Sequence, residues 1–276
     1  MNEQNPGGKS TELRLSSFVL GTHRIDVALP ERVSAITPIL VMHDGGNLLL
    51  PREQTWNGQN WGIVDSLEGG LVTAELLPIV VGVYTGETTS RYNELAPASI
   101  AAVVPDVFMT IPAEVRPELM VSTSVEYQNF LANEVLPEIS KRFGVELDPS
   151  RTAIAGSSMG GLASIYGLGL LPEVFGTALA FSTHWPFGES AAVAALIDAL
   201  PEVGSGHRLW LDSGNIELDA AYPLFHYEAI ARLEKRSWMR DRDFEARIYA
   251  GTGHQEKYWA ARWPDAVNWW LSQSPR

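Results

Sequence analysis

Short apolar runs recur along this chain, each too brief for a helix through a core, and longer stretches of helical periodicity separate them. Residues 38–42 (Pro-Ile-Leu-Val-Met) and 77–81 (Leu-Pro-Ile-Val-Val) lack polar alternation, the pattern of strands buried on both faces. Residues 152–155, 177–181 and 209–211 read the same way, and Phe244, Ala246, Ile248 and Ala250 alternate to finish the set. Between the runs, 125–143 places Tyr127, Leu131, Leu136 and Ile139 near one helical face, and Pro137 predicts a kink. Residues 159–171, 191–200, 222–236 and 259–271 are the other predicted helices. Upstream, 13–20 and 23–29 are β-rich and joined by Gly21-Thr22, which signals a hairpin. Strand–helix units behind a hairpin predict an α/β fold: a mainly parallel central sheet with an N-terminal antiparallel hairpin and helices on both faces.

No repeat or Pro/Gly-rich linker divides the 276 residues, so one domain spanning 1–276 is expected. Residues 85–123 break the alternation; a segment of that length inside a compact domain is expected to be a lid or pocket wall. The chain contains no cysteine, which excludes disulfides, thiolate nucleophiles and thiolate-held zinc. Its formal charge of −13 argues against nucleic acid, where affinity comes from neutralising phosphates, and is expected to serve solubility. No run reaches the roughly 18 apolar residues of a membrane helix. Residues 1–14 lack the basic and apolar regions of a secretion signal, so the simplest inference is a cytoplasmic protein without membrane partners.

The predicted strand 152–155 runs directly into Gly156-Ser157-Ser158-Met159-Gly160-Gly161 and then a helix. This is Gly-x-Ser-x-Gly in the strand–turn–helix setting that a nucleophilic serine requires. The central serine must occupy a strained turn that lifts its hydroxyl above the sheet, and flanking glycines let backbone pass closely. Only Ser158 fits that register, because Ser157 would need glycine where Ala155 stands. The helix opening at Met159 directs free N–H groups at a developing oxyanion.

A serine hydroxyl needs a base to take its proton, and in this architecture the order along the chain is serine, acid, histidine. His23 and His43 precede the serine, His207 sits at a strand start and His226 inside a helix. His254 follows the last predicted strand in Gly251-Thr252-Gly253-His254 and is the candidate base; His184, after the 177–181 strand, is a candidate pocket residue. The acid belongs in residues 212–219, where three carboxylates compete. Asp212 ends a strand, Glu217 lies in the loop, and Asp219 stands where a helix cap would. A glycine-rich turn at His43-Asp44-Gly45-Gly46-Asn47 offers a second N–H for an oxyanion. The histidines show no metal-ligand spacing such as His-Glu-x-x-His, so neither metal nor cofactor is expected.

Five segments together resemble the esterase branch of the α/β hydrolases, which includes esterase D-like, enterochelin esterase-like and feruloyl esterase-like enzymes and bacterial mycolyltransferases. They are residues 42–48, 79–83, 156–161, 171–176 and 253–254, and the similarity runs from about Thr37 to the C-terminus. The resemblance implies a carboxylic-ester hydrolase with a covalent acyl-serine and a small-molecule ester substrate. By position, Ser158 matches the nucleophile, His254 the base and Gly46 the oxyanion donor that works beside the N–H of Met159. For the acid, a spacing of three after the strand-end glycine lands on Glu217, and a Gly-x-x-x-Leu-Asp pattern lands on Asp219. Asp219 is taken as the acid, with Glu217 the alternative.

Trp259, Trp263 and Trp270 fall at near-helical spacing and read as core. Trp56, Trp61 and Trp185 stand in or beside loops flanking the candidate site and read as pocket walls, joined by Arg91 in the insertion. An acyltransferase of the same fold and a non-catalytic binding module are the rival functions; the oligomeric state is not written in the sequence.

Overall fold

The structure, a computed structural model, describes residues 13–55, 57–73, 77–86, 88–116, 118 and 121–272. An eight-stranded sheet runs through it in the order β1-β2-β4-β3-β5-β6-β7-β8. The hairpin β1 (Arg14–Leu20) and β2 (His23–Leu29) is antiparallel and turns at the Leu20–His23 pair. β2 also pairs antiparallel with β4 (Ile79–Val83). The remaining neighbours are parallel: β3 (Ile39–His43), β5 (Thr152–Ser157), β6 (Thr177–Phe181), β7 (Arg208–Ser213) and β8 (Phe244–Ile248).

Alternate side chains of each central strand enter opposite cores, as the two-residue period dictates. Val41, Val81, Ile154 and Ala178 join one cluster with Leu162 and Ile165 of α6 (Met159–Leu170). Leu40, Val80, Ala153 and Leu179 join the other, under Ile63 and Leu67 of α1 (Ile63–Glu68) and the indoles of α9 (Glu256–Ser272). Burial on both faces is why these strands read as unbroken apolar runs. Trp259, Trp263 and Trp270 lie in that second core, as their spacing predicts.

The helix predicted over 125–143 is divided. α4 (Ser124–Phe130) passes through a π-turn at Leu131–Val135 into α5 (Leu136–Phe143). Pro137 cannot donate to the turn before it, and the chain widens one residue ahead of it, with Leu136 N–H bonded to the Leu131 carbonyl. The insertion carries two helices the pattern does not announce, α2 (Thr88–Leu95) and α3 (Ala98–Val103). Leu95, Ile100, Val107, Phe108 and Ile111 of this segment are buried in the first core. α7 (Glu189–Ile197) and α8 (Tyr222–Lys235) complete that layer. Among the described residues, no helix is long and apolar enough to cross a membrane.

Two histidines are buried in this framework. Burial lowers His43 from 6.5 to about 4, with Arg91 assisting and Asp44 opposing, and burial lowers His226 to about 4 with help from Arg240. Both are neutral in the folded chain and protonated once unfolded below pH 6.5. Stability therefore falls as the pH drops from about 6.5 towards 4, each histidine contributing about 1.4 kcal/mol per pH unit. Denaturant titrations between pH 7.5 and 4.5 should show a shallower decline for His226→Gln than for the wild type; parallel declines would refute the assignment.

Candidate active site

The parallel strands β3, β5, β6, β7 and β8 bring their C-terminal ends to one edge of the sheet, where the loops hold polar side chains close together. At the end of β5 the chain reverses through Ser158, whose backbone stands at φ 59°, ψ −122°. A side chain in that region is strained by about 1–3 kcal/mol and persists only where its surroundings fix it. Here the Ser158 N–H donates to the Phe181 carbonyl (3.0 Å), and the Ser158 carbonyl accepts from Gly161 N–H (3.0 Å) and His184 N–H (3.1 Å). The flanking glycines are required by contact. A Cβ on Gly156 would stand 2.9 Å from both the Gly160 carbonyl carbon and His43 Cδ2, and one on Gly161 2.8 Å from Thr183 Oγ1. Met159 is the first residue of α6, where the first-turn N–H groups find no partner within the helix.

His254 lies in the loop between β8 and α9, with Nδ1 2.7 Å from Oδ1 of Asp219. Asp219 sits in the 3-10 turn Glu217–Ala221, and its side chain is fully buried. Its Oδ2 also accepts from the Ser182 hydroxyl (2.6 Å) and the Gly214 N–H (2.8 Å). Burial alone would raise this carboxyl, but the hydrogen bonds from His254 and Ser182 outweigh it and hold it below the ordinary carboxylate value. The two loops are pressed together: Asn215 and Ile216 donate to the Thr252 carbonyl, and any Cβ on Gly214 would collide with that carbonyl.

The other two carboxylates point elsewhere. Asp212 forms a buried ion pair with Arg262 (3.2 Å) and accepts from the Trp210 indole (3.0 Å). Glu217 is exposed, at φ 55°, and accepts from the Gln255 amide. The imidazole of His254 is boxed by rings: Trp259 edge-on at 5.0 Å, Tyr222 at 5.6 Å and His184 at 6.5 Å. His184 Nδ1 is 2.6 Å from the Tyr222 hydroxyl, and burial, aided by the nearby His254 and Arg91, lowers it to about 4.

Across the cleft, β3 leads into Asp44, another left-handed residue (φ 58°, ψ 49°), then Gly45-Gly46-Asn47. Arg91 clasps Asp44 through Nε and Nη2 at 2.6 and 2.7 Å, and the Thr85 hydroxyl adds a third bond at 2.7 Å. Burial raises the Asp44 carboxyl, yet the charge and hydrogen bonds of Arg91 bring it below the usual range. Gly45 is pressed on Gly82, where a Cβ would lie 2.9 Å from backbone, and Gly46 faces the Tyr84 ring. Asn47 and Asn57 both donate to Glu256, two residues beyond His254, so the two sides of the cleft are joined through one buried carboxylate. A polar concavity of about 460 Å³, lined by His23, Arg24, Tyr84, Thr85 and Glu94 among others, adjoins this loop.

Several side chains expected at the pocket lie elsewhere. Trp185 is only 1 % exposed and belongs to the first core, and Trp61 is buried edge-on against Phe181. A loop indole removes most of its large apolar surface from water whenever a core lies within reach. Trp56 lies outside the described residues. Arg91 is engaged by Asp44. Sequence reasoning missed Ser182, Tyr222 and Glu256. An acidic residue two positions after the candidate base was the visible signal for Glu256; the other two carried none.

Over residues 22–270 the chain matches the family described as Putative esterase. Among solved structures it is similar to the enterobactin hydrolase IroE, with a TM-score of 0.66, 17 % identity and coverage of 97 % of this chain and 98 % of that one. A ferulic acid esterase gives a TM-score of 0.62 at 15 % identity, over 95 % and 99 % of the two chains. The siderophore hydrolase EstA from Aspergillus nidulans gives 0.61 at 16 % identity, over 100 % and 99 %. No curated protein matches in sequence. The structural neighbours share the α/β-hydrolase fold, and the family match spans most of the chain: this protein belongs to the Putative esterase family and is a carboxylic ester hydrolase.

Proposed function

We propose that the chain hydrolyses small-molecule esters through a covalent acyl-serine, with Ser158 as nucleophile, His254 as base and Asp219 as acid. The observation that carries this reading is the 2.7 Å contact between His254 Nδ1 and the buried Asp219 carboxylate, at the same sheet edge as the strained Ser158. Ser158 Oγ attacks the ester carbonyl carbon while His254 Nε2 takes the hydroxyl proton. The carbonyl oxygen gathers negative charge between the N–H groups of Gly46 and Met159, and the fixed dipoles of α6 favour it there. Collapse expels the alcohol, to which the imidazolium returns the proton. A water then repeats the sequence on the acyl-serine and releases the acid. Asp219 balances the imidazolium charge and does not itself take a proton.

Arg91 supports the oxyanion side by holding Asp44, the residue on which the Gly45-Gly46 turn is built. His184, half-buried beside His254 and held by the buried Tyr222 hydroxyl, contacts the substrate, and the polar concavity beside Thr85 receives its polar portion. The structural neighbours are named for enterobactin, ferulic acid and siderophore substrates, so aryl and catechol-bearing esters are the first class to assay.

A fluorophosphonate probe should label the wild-type chain at Ser158 and leave Ser158→Ala unlabelled; modification at another residue would sink the nucleophile. Asp219→Asn should lower kcat roughly 10³- to 10⁴-fold by disturbing the imidazole tautomer, while Glu217→Gln stays within about twofold. The opposite ranking would move the acid to Glu217. Ester cleavage in the presence of an acceptor alcohol should yield free acid; exclusive transfer to the alcohol would make the protein an acyltransferase.

A further inference from the structure

Ser182 follows β6 and is fully buried, at φ 40°, with its N–H bonded to the Asp212 carbonyl (2.8 Å). Its hydroxyl has three partners: Oδ2 of Asp219 at 2.6 Å, Nε1 of Trp259 at 3.1 Å and Nη2 of Arg262 at 3.1 Å. An indole N–H and a guanidinium N–H donate and cannot accept, and a hydroxyl has one proton and two lone pairs. Trp259 and Arg262 therefore occupy both lone pairs, and the single proton has one destination, Asp219 Oδ2. That oxygen already accepts the Gly214 N–H, so two donors point at it and it has no room for a proton of its own. Oδ1 then accepts from His254, which places the imidazole proton on Nδ1 and leaves Nε2 as a free base.

Resting on the triad read above, we propose that Ser182 is a positioning residue: fixed as a donor by Trp259 and Arg262, it keeps Asp219 an acceptor and thereby sets the reactive tautomer of His254. Arg262 is itself anchored by the buried Asp212, so the orientation of the imidazole is referred back through α9 to the end of β7. Without the hydroxyl, Oδ2 keeps one donor instead of two, and the carboxyl is free to rotate or to share the imidazole proton.

The test compares Ser182→Ala and Ser182→Gly with the wild type in steady-state kinetics, and in proton NMR of the Nδ1–H of His254, which a charge-assisted hydrogen bond shifts downfield. Glycine adopts φ 40° freely, so Ser182→Gly removes the hydroxyl without backbone strain if alanine disturbs folding. Both variants should lose about tenfold to a hundredfold in kcat with KM within about twofold, and the downfield resonance should move or broaden. Trp259→Phe, which keeps a ring beside His254 but removes one donor, should lie between them and the wild type. A folded Ser182→Gly with wild-type kcat and an unchanged resonance overturns the proposal and leaves the triad standing. A rise in KM at constant kcat also overturns it, because that assigns Ser182 to substrate binding. Full activity in both Ser182→Gly and Asp219→Asn removes the triad reading and the proposal together.

Discussion

A side chain held at φ 59°, ψ −122° has no reason to stay there unless every alternative is worse, and Ser158 is held that way by the strands around it. Its N–H is bonded to the end of β6 and its carbonyl to the backbone of His184, so the reversal at Ser158 and the path of the chain after β6 are one construction. Beneath it, Gly156 and Gly160 approach each other and the ring of His43 so closely that a methyl group at Gly156 would force something to move. His43 ends β3 and precedes the Asp44 turn. The strained serine thus sets where the Asp44–Asn47 turn begins and where the segment bearing Ser182 and His184 passes.

The two walls of the cleft are fixed by different charged side chains, buried on one side and half-buried on the other. On the acid side, Asp219 is compensated by His254, Ser182 and a backbone N–H, and Asp212 by Arg262. On the opposite side, Asp44 is compensated by Arg91 and Thr85. Removing one partner of the buried Asp212–Arg262 pair leaves an uncompensated charge, commonly at about 3–5 kcal/mol, far more than an exposed pair returns. The net charge of −13 is therefore a poor guide to where acidity matters. These few carboxylates are each compensated by named partners within the fold.

Much of this was legible beforehand, and for identifiable reasons. Strands buried on both faces are apolar throughout, so β3, β5, β6 and β7 stand within a residue or two of their reading. Motif, spacing and chain order single out Ser158 and His254, and the fold brings both to one edge of the sheet. The three carboxylates did not separate, because Asp212, Glu217 and Asp219 lie within eight residues and differ in direction, which is set by a left-handed Glu217 and by the contact of Gly214 with the Thr252 carbonyl. Trp61 and Trp185 were misplaced because a loop indole beside a site and a loop indole over a core have the same sequence signature. α1 escaped because six residues make too short a period, and α2 and α3 because Pro97 and Pro105 break the insertion into pieces. Ser182 is one serine after a strand, and its importance lies in three partners that arrive from other parts of the chain.

The insertion is tied both to the turn after β3 and to the core. Its helix α2 supplies Arg91 to Asp44 and Glu94 to His23, while Leu95, Ile100, Phe108 and Ile111 bury their side chains in the core. Lifting it as a flap would expose each of those side chains at about 1.5–3 kcal/mol and break the bidentate Arg91–Asp44 pair as well. A segment anchored in this way favours a fixed wall over a swinging lid. Moving that wall then disturbs the Arg91–Asp44 pair as well, because α2 carries one partner and the turn after β3 the other.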